Sequence, residues 1–312
     1  MTAPGAAGRT ADRVEPGSPL ACGDSEFAAM TVKPSMEHPT TTRPPAGRVG
    51  RLRARLGSRD IAVLESLAKL RLLKGDQVRR LHFADNSPVT QARRARALLR
   101  RLADLRLVVR LGRTVGGERA GSSGYVYGLS GHGQAVLAID GPMGGRRRRV
   151  WEVKRDFFEH VLCVAEVYVR LVEAERKGTA ELLTFDGEPA AWRTFPGIGG
   201  QAVTLKPDGF VRLGVGDLEH SAFVEVDRGT ESAPTIARKC GVYAAYWRSG
   251  IEQARHEVFP RVLWLASNAR SVHRITKALT QMPRDAQHLF QVTFLDGAVP
   301  VLIATARGGR MA

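Results

Sequence analysis

The chain is poor in cysteine, in lysine and in long apolar runs, and each shortage closes off a class of protein. Three cysteines, Cys22, Cys163 and Cys240, lie far apart in 312 residues and form no CxxC pair. That excludes a zinc finger and a disulfide framework. No stretch approaches the roughly 20 apolar residues that a membrane span needs. The first residues also lack the apolar segment of a secretory signal. The expectation is a cytoplasmic, reduced protein. Gly197-Ile198-Gly199-Gly200 lacks the following Lys-Ser/Thr and helix of a phosphate-binding loop. No Ser/His/Asp arrangement stands out. Lysine supplies 8 of the 47 basic residues and arginine 39. Arginine grips phosphate bidentately, but GC-rich coding produces the same bias. Position therefore carries more information than number.

The charge present is unevenly placed. The formal net charge is +16. Residues 1–150 hold 27 basic and 12 acidic side chains, a net of +15, whereas residues 151–312 hold 20 and 19, a net of +1. An anionic partner is expected for the first half. Residues 1–47 carry seven of the 16 prolines and few large aliphatics. Such a stretch cannot bury enough apolar surface to order itself, and it reads as a disordered arm. The rest has ordinary globular composition and length enough for two domains.

From residue 48 helical periodicity begins. Ser58 suits an N-cap, and Ile61, Leu64, Leu67, Ala68 and Leu70 recur on one face. A short helix over 76–83 follows. Asn86-Ser87-Pro88 then opens a helix over 88–105. The period changes to strands over 107–111 and 125–129, separated by a Gly-rich loop over 112–124. Three helices and a hairpin are the order of a winged helix-turn-helix, expected over 48–140 with a closing helix at 130–139. Residues 141–150, with Arg146–Arg149, read as a basic linker or as further phosphate contact.

The third helix carries Arg93, Arg94, Arg96, Arg100 and Arg101. Arg93, Arg96 and Arg100 share a face, while Leu98, Leu102 and Leu105 turn away toward a core. A leucine side and an arginine side suit docking in the major groove of double-stranded DNA, where guanidinium groups reach phosphates and guanine edges. Arg113 and Arg119 in the hairpin loop would reach the flanking backbone or the minor groove. The alternative is a solvated basic face.

Residues 151–312 read as an α/β domain: a helix over 154–177, strands over 182–185, 191–195, 203–205, 210–213 and 222–226, and a helix over 233–249. A strand over 261–266, a helix over 269–281 and strands over 291–294 and 301–303 follow. Within it stand Lys206-Pro207-Asp208-Gly209-Phe210 and Phe223-Val224-Glu225-Val226-Asp227, then Lys239 and Tyr243. Neighbouring strands would bring Asp208 and Glu225 together as ligands for Mg or Mn, with the Val226 carbonyl as a further oxygen. A nearby lysine would stabilise charge developing on a phosphoryl group. Lys239 reads equally as an exposed helix residue, and Asp227-Arg228-Gly229-Thr230 as a turn.

These residues resemble the PD-(D/E)xK nuclease superfamily. The run KPDGFVRL … FVEVDRGTES … RKCGVYAAYW, behind a winged helix, is more narrowly similar to the replication-relaxation family, over roughly residues 56–280. The resemblance implies a restriction-endonuclease-like α/β domain in a plasmid or mobile-element protein involved in plasmid replication and DNA relaxation. It implies metal-dependent DNA nicking with Asp208 and Glu225 as metal ligands. Asp227 stands where the superfamily has lysine, so Lys239 is implied as the lysine moved to the next helix. Glu166 would be an extra carboxylate, and His160 a core histidine or a ligand. The rival expectation is a non-catalytic winged-helix replication accessory or transcriptional regulator with a degenerate nuclease fold. Its partners would be DNA and other plasmid replication or mobilisation proteins.

Overall fold

Helix signals and strand signals alternate along the chain, and the computed structural model, which describes residues 47–113, 124–141 and 155–308, turns them into a mixed α/β fold. The expected arm over 1–47 and linker over 141–150 lie, apart from Gly47 and Gly141, outside the described residues.

The first elements are α1 (Arg48–Ala54), α2 (Ser58–Leu70), β1 (Leu72–Lys74), α3 (Gly75–His82) and α4 (Pro88–Asp104), followed by β2 (Val108–Arg113), β3 (Tyr125–Leu129) and α5 (Gly131–Asp140). Asp60 sits one turn into α2 and accepts the Gly57 amide at 2.9 Å, satisfying a donor the helix end leaves free. Val63, Leu64, Leu67 and Leu70 form its buried face. Pro88 opens α4, whose buried residues are Ala95, Leu99 and Leu102. The three strands form an antiparallel sheet in the order β1-β3-β2, with Leu72 opposite Gly128 and Val108 opposite Leu129. Helix α1 and strand β1 add to the expected order of three helices and a hairpin. Three residues are too few for strand periodicity to register.

The remaining elements are α6 (Arg155–Arg176), β4 (Glu181–Gly187), β5 (Arg193–Pro196), β6 (Ala202–Leu205), β7 (Gly209–Val215), β8 (Leu218–Asp227) and α7 (Ala233–Arg248). After them come α8 (Ile251–His256), β9 (Arg261–Ala266), α9 (Ala269–Thr280), α10 (Arg284–Gln287), β10 (Phe290–Phe294) and α11 (Ala298–Gly308). Five strands form one sheet in the order β10-β9-β8-β7-β4. β4, β7 and β8 run antiparallel, while β8, β9 and β10 run parallel. β5 and β6 form a separate hairpin. Residues 301–303, expected as a strand, belong instead to α11. Ala298, Leu302 and Ala306 are its buried residues, and that four-residue spacing is a helix face.

Pleating divides the sheet between two apolar clusters. Val224 and Val226 of β8 pack with Leu213, Leu265, Val167 and Leu302, which places α6 and α11 on one face. Phe223 packs with Ile236, Tyr243, Trp264 and Ile275 on the opposite face, under α7 and α9. The first cluster continues into Leu64, Leu67 and Leu99 of the helical part. A polar lock reinforces that contact. Arg80 of α3 donates from Nη1 to Glu166 Oε1 at 2.7 Å and from Nη2 to Glu173 Oε2 at 2.6 Å, and Gln77 Nε2 donates to Glu166 Oε2 at 3.0 Å. Among the described residues, no helix is long and apolar enough to cross a membrane.

Candidate functional site

Strand register creates the site. β7 begins at Gly209, opposite Val224 of β8, so the amide of Val226 extends past the end of its neighbour. Asp208, one residue before β7, fills that gap: its Oδ2 accepts the Val226 amide at 2.7 Å. Its Oδ1 lies 3.2 Å from Nε2 of His160 on α6. The carboxylate is 6% exposed and is held in one orientation by a strand and a helix.

Glu225 belongs to the same strand as Phe223 and Asp227 and alternates with Val224 and Val226, so it points toward α7. It is 0% exposed. Lys239 and Tyr243, four residues apart on one face of α7, both reach it. The Tyr243 hydroxyl donates to Oε1, and the Lys239 ammonium pairs with Oε2. Lys239 Nζ also lies 5.5 Å from the centroid of the Trp264 ring. The structure therefore brings Asp208, Glu225 and Lys239 together. His160 joins them through Asp208, where core packing was the expectation.

Asp227 takes no part in that cluster. Its Oδ1 accepts the Gly229 amide at 2.8 Å and its Oδ2 accepts Arg274 Nη2 at 2.7 Å. It is the turn residue that its sequence context also allowed. Glu166, expected as an extra carboxylate, is engaged by Arg80, Gln77 and Arg170 at the contact with α3. A single arginine between two acids draws it there.

The electrostatics follow from burial and proximity. Burial alone would raise the Asp208 carboxyl, but Lys239, the His160 hydrogen bond and the Val226 amide outweigh it and hold Asp208 below the usual range. Burial pushes Glu225 well above that range, with Lys239 opposing and Asp208 adding to the rise. Lys239 is raised despite burial, because Glu225, Asp208 and Glu231 surround its ammonium with carboxylates. Burial would lower His160, but the hydrogen bond and charge of Asp208 raise it overall. Glu188 and Glu231 are both raised by burial and by Asp208. Neither stood out in the sequence. Glu188 follows the end of β4, whose Gly187 pairs with Gly209, and only that register carries it to Asp208.

Asp208 and Glu225 offer hard oxygen donors from adjacent strands. Mg and Mn commonly take one or two protein carboxylates and complete their shell with water and substrate phosphate. Among the described residues, no group of three or more His, Cys, Asp or Glu side chains is placed to hold a metal ion. Lys239 supplies the positive charge beside Glu225.

On α4, Arg93, Arg94, Arg96 and Arg100 are exposed. Arg94 Nη1 donates to Asn86 Oδ1 at 2.8 Å, and Arg96 Nε to the Ala92 carbonyl at 3.0 Å. Arg93 and Arg100 form no ion pair among the described residues. Arg101 differs: its guanidinium pairs with the buried Asp60 of α2. Arg119 and the side chain of Arg113 lie outside the described residues.

A family model described as replication-relaxation matches residues 64–262, from within α2 to the first residues of β9. No curated protein and no solved structure matches the chain.

Proposed function

The chain belongs to the replication-relaxation family, and from that premise we propose that it serves replication of a plasmid or other mobile element. In this reading it holds double-stranded DNA on α4 and presents the phosphodiester backbone to Asp208, Glu225 and Lys239. The order of α2, α3, α4 and the β2–β3 hairpin supports a winged helix, with α4 entering the major groove. The three antiparallel strands continued by two parallel ones, with one acid just before β7, the other on β8 and the lysine on α7, support a PD-(D/E)xK domain. Residues 48–140 and 151–312 then act as recognition and backbone-processing parts, joined by the basic 141–150 segment.

One observation carries the nicking role: Lys239, from the helix after β8, closes on Glu225 beside Asp208. A divalent ion held by Asp208 and Glu225 would supply Lewis-acid stabilisation of the charge on the phosphoryl oxygens. Lys239 keeps its proton and offers a fixed cation to the same oxygens. The Val226 amide and His160 Nε2 keep the Asp208 carboxylate aimed and ionised. The test is incubation of supercoiled plasmid with purified protein and Mg or Mn. Nicked circles should accumulate, and Asp208→Asn and Glu225→Gln should each abolish them while leaving duplex binding intact.

A second reading is favoured by a different observation. All four oxygens of Asp208 and Glu225 already face a protein donor. A non-catalytic replication accessory or regulator would keep that cluster closed and bind DNA, together with other replication or mobilisation proteins, through α4 alone. Duplex binding without nicking in either metal selects this reading.

A further inference from the structure

A cavity beside Asp208 is walled by two parts of the chain that lie far apart in sequence. Lys69, Leu70 and Arg71, at the turn from α2 into β1, form one wall, and His160, Phe185, Gly187, Glu188 and Asp208 contribute to the other. The two walls meet closely. A Cβ placed on Gly187 would lie 3.8 Å from the Lys69 carbonyl. The carboxylate of the proposed site is thus reached past a turn belonging to the helical part.

That turn is held in an uncommon conformation. Arg71 has φ 68° and ψ −51°, a region that residues with side chains rarely enter and that costs on the order of 1–3 kcal/mol. Its guanidinium lies 5.4 Å from the Phe157 ring centroid and pairs with Glu188 at 3.5 Å. Lys69 is exposed, with its ammonium 5.0 Å from the centroid of the Tyr168 ring. Lys69, Arg71 and His160 therefore give the cavity three basic side chains against the two carboxylates of Glu188 and Asp208. His160 and Asp208 engage each other, while Lys69 is exposed and Arg71 partly so.

We infer that the α2–β1 turn is a phosphate grip, in which Lys69 and Arg71 hold a DNA backbone phosphate at the mouth of the cavity that ends at Asp208. This rests on the reading that DNA is presented to Asp208. A planar guanidinium takes two phosphate oxygens at once, and a lysine adds a mobile point charge. Glu188 serves as the stand-in anion: in the DNA-free protein its carboxylate holds Arg71 where the phosphate would sit. The helical part then does more than read DNA from α4. It supplies half of the backbone site, so recognition and backbone handling share one rigid spacing.

The experiment measures binding of a labelled duplex to the full chain by fluorescence anisotropy, in EDTA, over a series of salt concentrations. Each phosphate contact removed should lower the slope of log affinity against log salt by about 1. The double variant Lys69→Ala/Arg71→Ala should lose about 2, with affinity reduced alike for unrelated sequences, and Arg71→Lys should recover part of the loss. Glu188→Gln, which removes a competing anion beside Arg71, should bind more tightly and gives an answer even where the double variant folds poorly. Unchanged slopes in the double variant and unchanged affinity in Glu188→Gln, with Arg93→Ala still weakening binding, would overturn the grip and leave the DNA-binding reading standing. Absence of salt-dependent duplex binding by the unmodified chain would remove that reading and the grip together.

Discussion

Lys239 of α7 pairs with Glu225 of β8, a carboxylate 0% exposed that also accepts the Tyr243 hydroxyl one helical turn further along. Removing only the lysine would leave a buried acid without its counter-charge. Breaking a buried pair from one side costs about 3–5 kcal/mol, far more than exchanging both partners. Lys239→Met should therefore destabilise strongly, and adding Glu225→Gln should restore much of the loss. Urea unfolding of the two variants and the double variant closes that cycle. Equal stability of Lys239→Met and the unmodified chain would mean that the pair contributes nothing to the fold.

His82 provides a pH dependence away from the candidate site. Burial, reinforced by Arg176 and Arg59, lowers its pKa to about 4, and its Nε2 lies 3.0 Å from Ser66 Oγ. An unfolded histidine titrates near 6.5, so between about pH 4 and 6.5 the unfolded chain binds the extra proton. Its contribution to stability is complete above about pH 6.5 and is lost as the pH falls toward 4. The loss amounts to up to about 3 kcal/mol. His82→Gln should flatten this part of the stability profile. Urea midpoints taken from pH 7.5 to 4.5 provide the measurement.

Long elements were legible in the sequence because burial imposes a period, and the positions that failed are those where no period exists. The strand over 261–266 and the helix begun by Pro88 both appear with the expected type. Val301 and Ile303 made a helix look like a strand, because β-branched residues favour strands in isolation while packing against the sheet decided otherwise. Asp208, Glu225 and Lys239 could be picked out by residue type and order. The approach of Glu188 depends on the pairing of Gly187 with Gly209, and that of Arg71 on how α2 meets β4. Neither relationship leaves a local pattern. His160 reads as an interior helix residue until Asp208 is seen 3.2 Å away.

Arg80 should matter to stability more than its place on a basic surface suggests. It spans Glu166 and Glu173 with four hydrogen bonds between 2.6 and 3.0 Å and is 20% exposed. Arg80→Ala removes the cation hydrogen-bonded to Glu173 and leaves Glu166 with Arg170 and Gln77. A loss of about 2–3 kcal/mol is expected, at the lower end for a buried charge network because Glu173 remains partly in water. Glu166→Gln/Glu173→Gln in the Arg80→Ala background should recover part of it. Thermal unfolding followed by circular dichroism tests both statements.

Arg93 and Arg101 lie on the same helix and should behave in opposite ways. Arg93 is exposed and forms no ion pair among the described residues, so Arg93→Ala should leave unfolding unchanged within about 0.5 kcal/mol. In the DNA-binding reading it should also lower the salt slope of duplex affinity by about 1. Arg101 ties α4 to Asp60 at the start of α2, where the acid is buried and the arginine half exposed. Arg101→Ala should cost stability, by about 1 kcal/mol after allowance for the solvent around the guanidinium, while the salt slope stays as it was. Measuring unfolding and duplex titration on both variants separates the two roles. A fall in slope for Arg101→Ala matching that of Arg93→Ala would show that Asp60 releases the guanidinium to DNA.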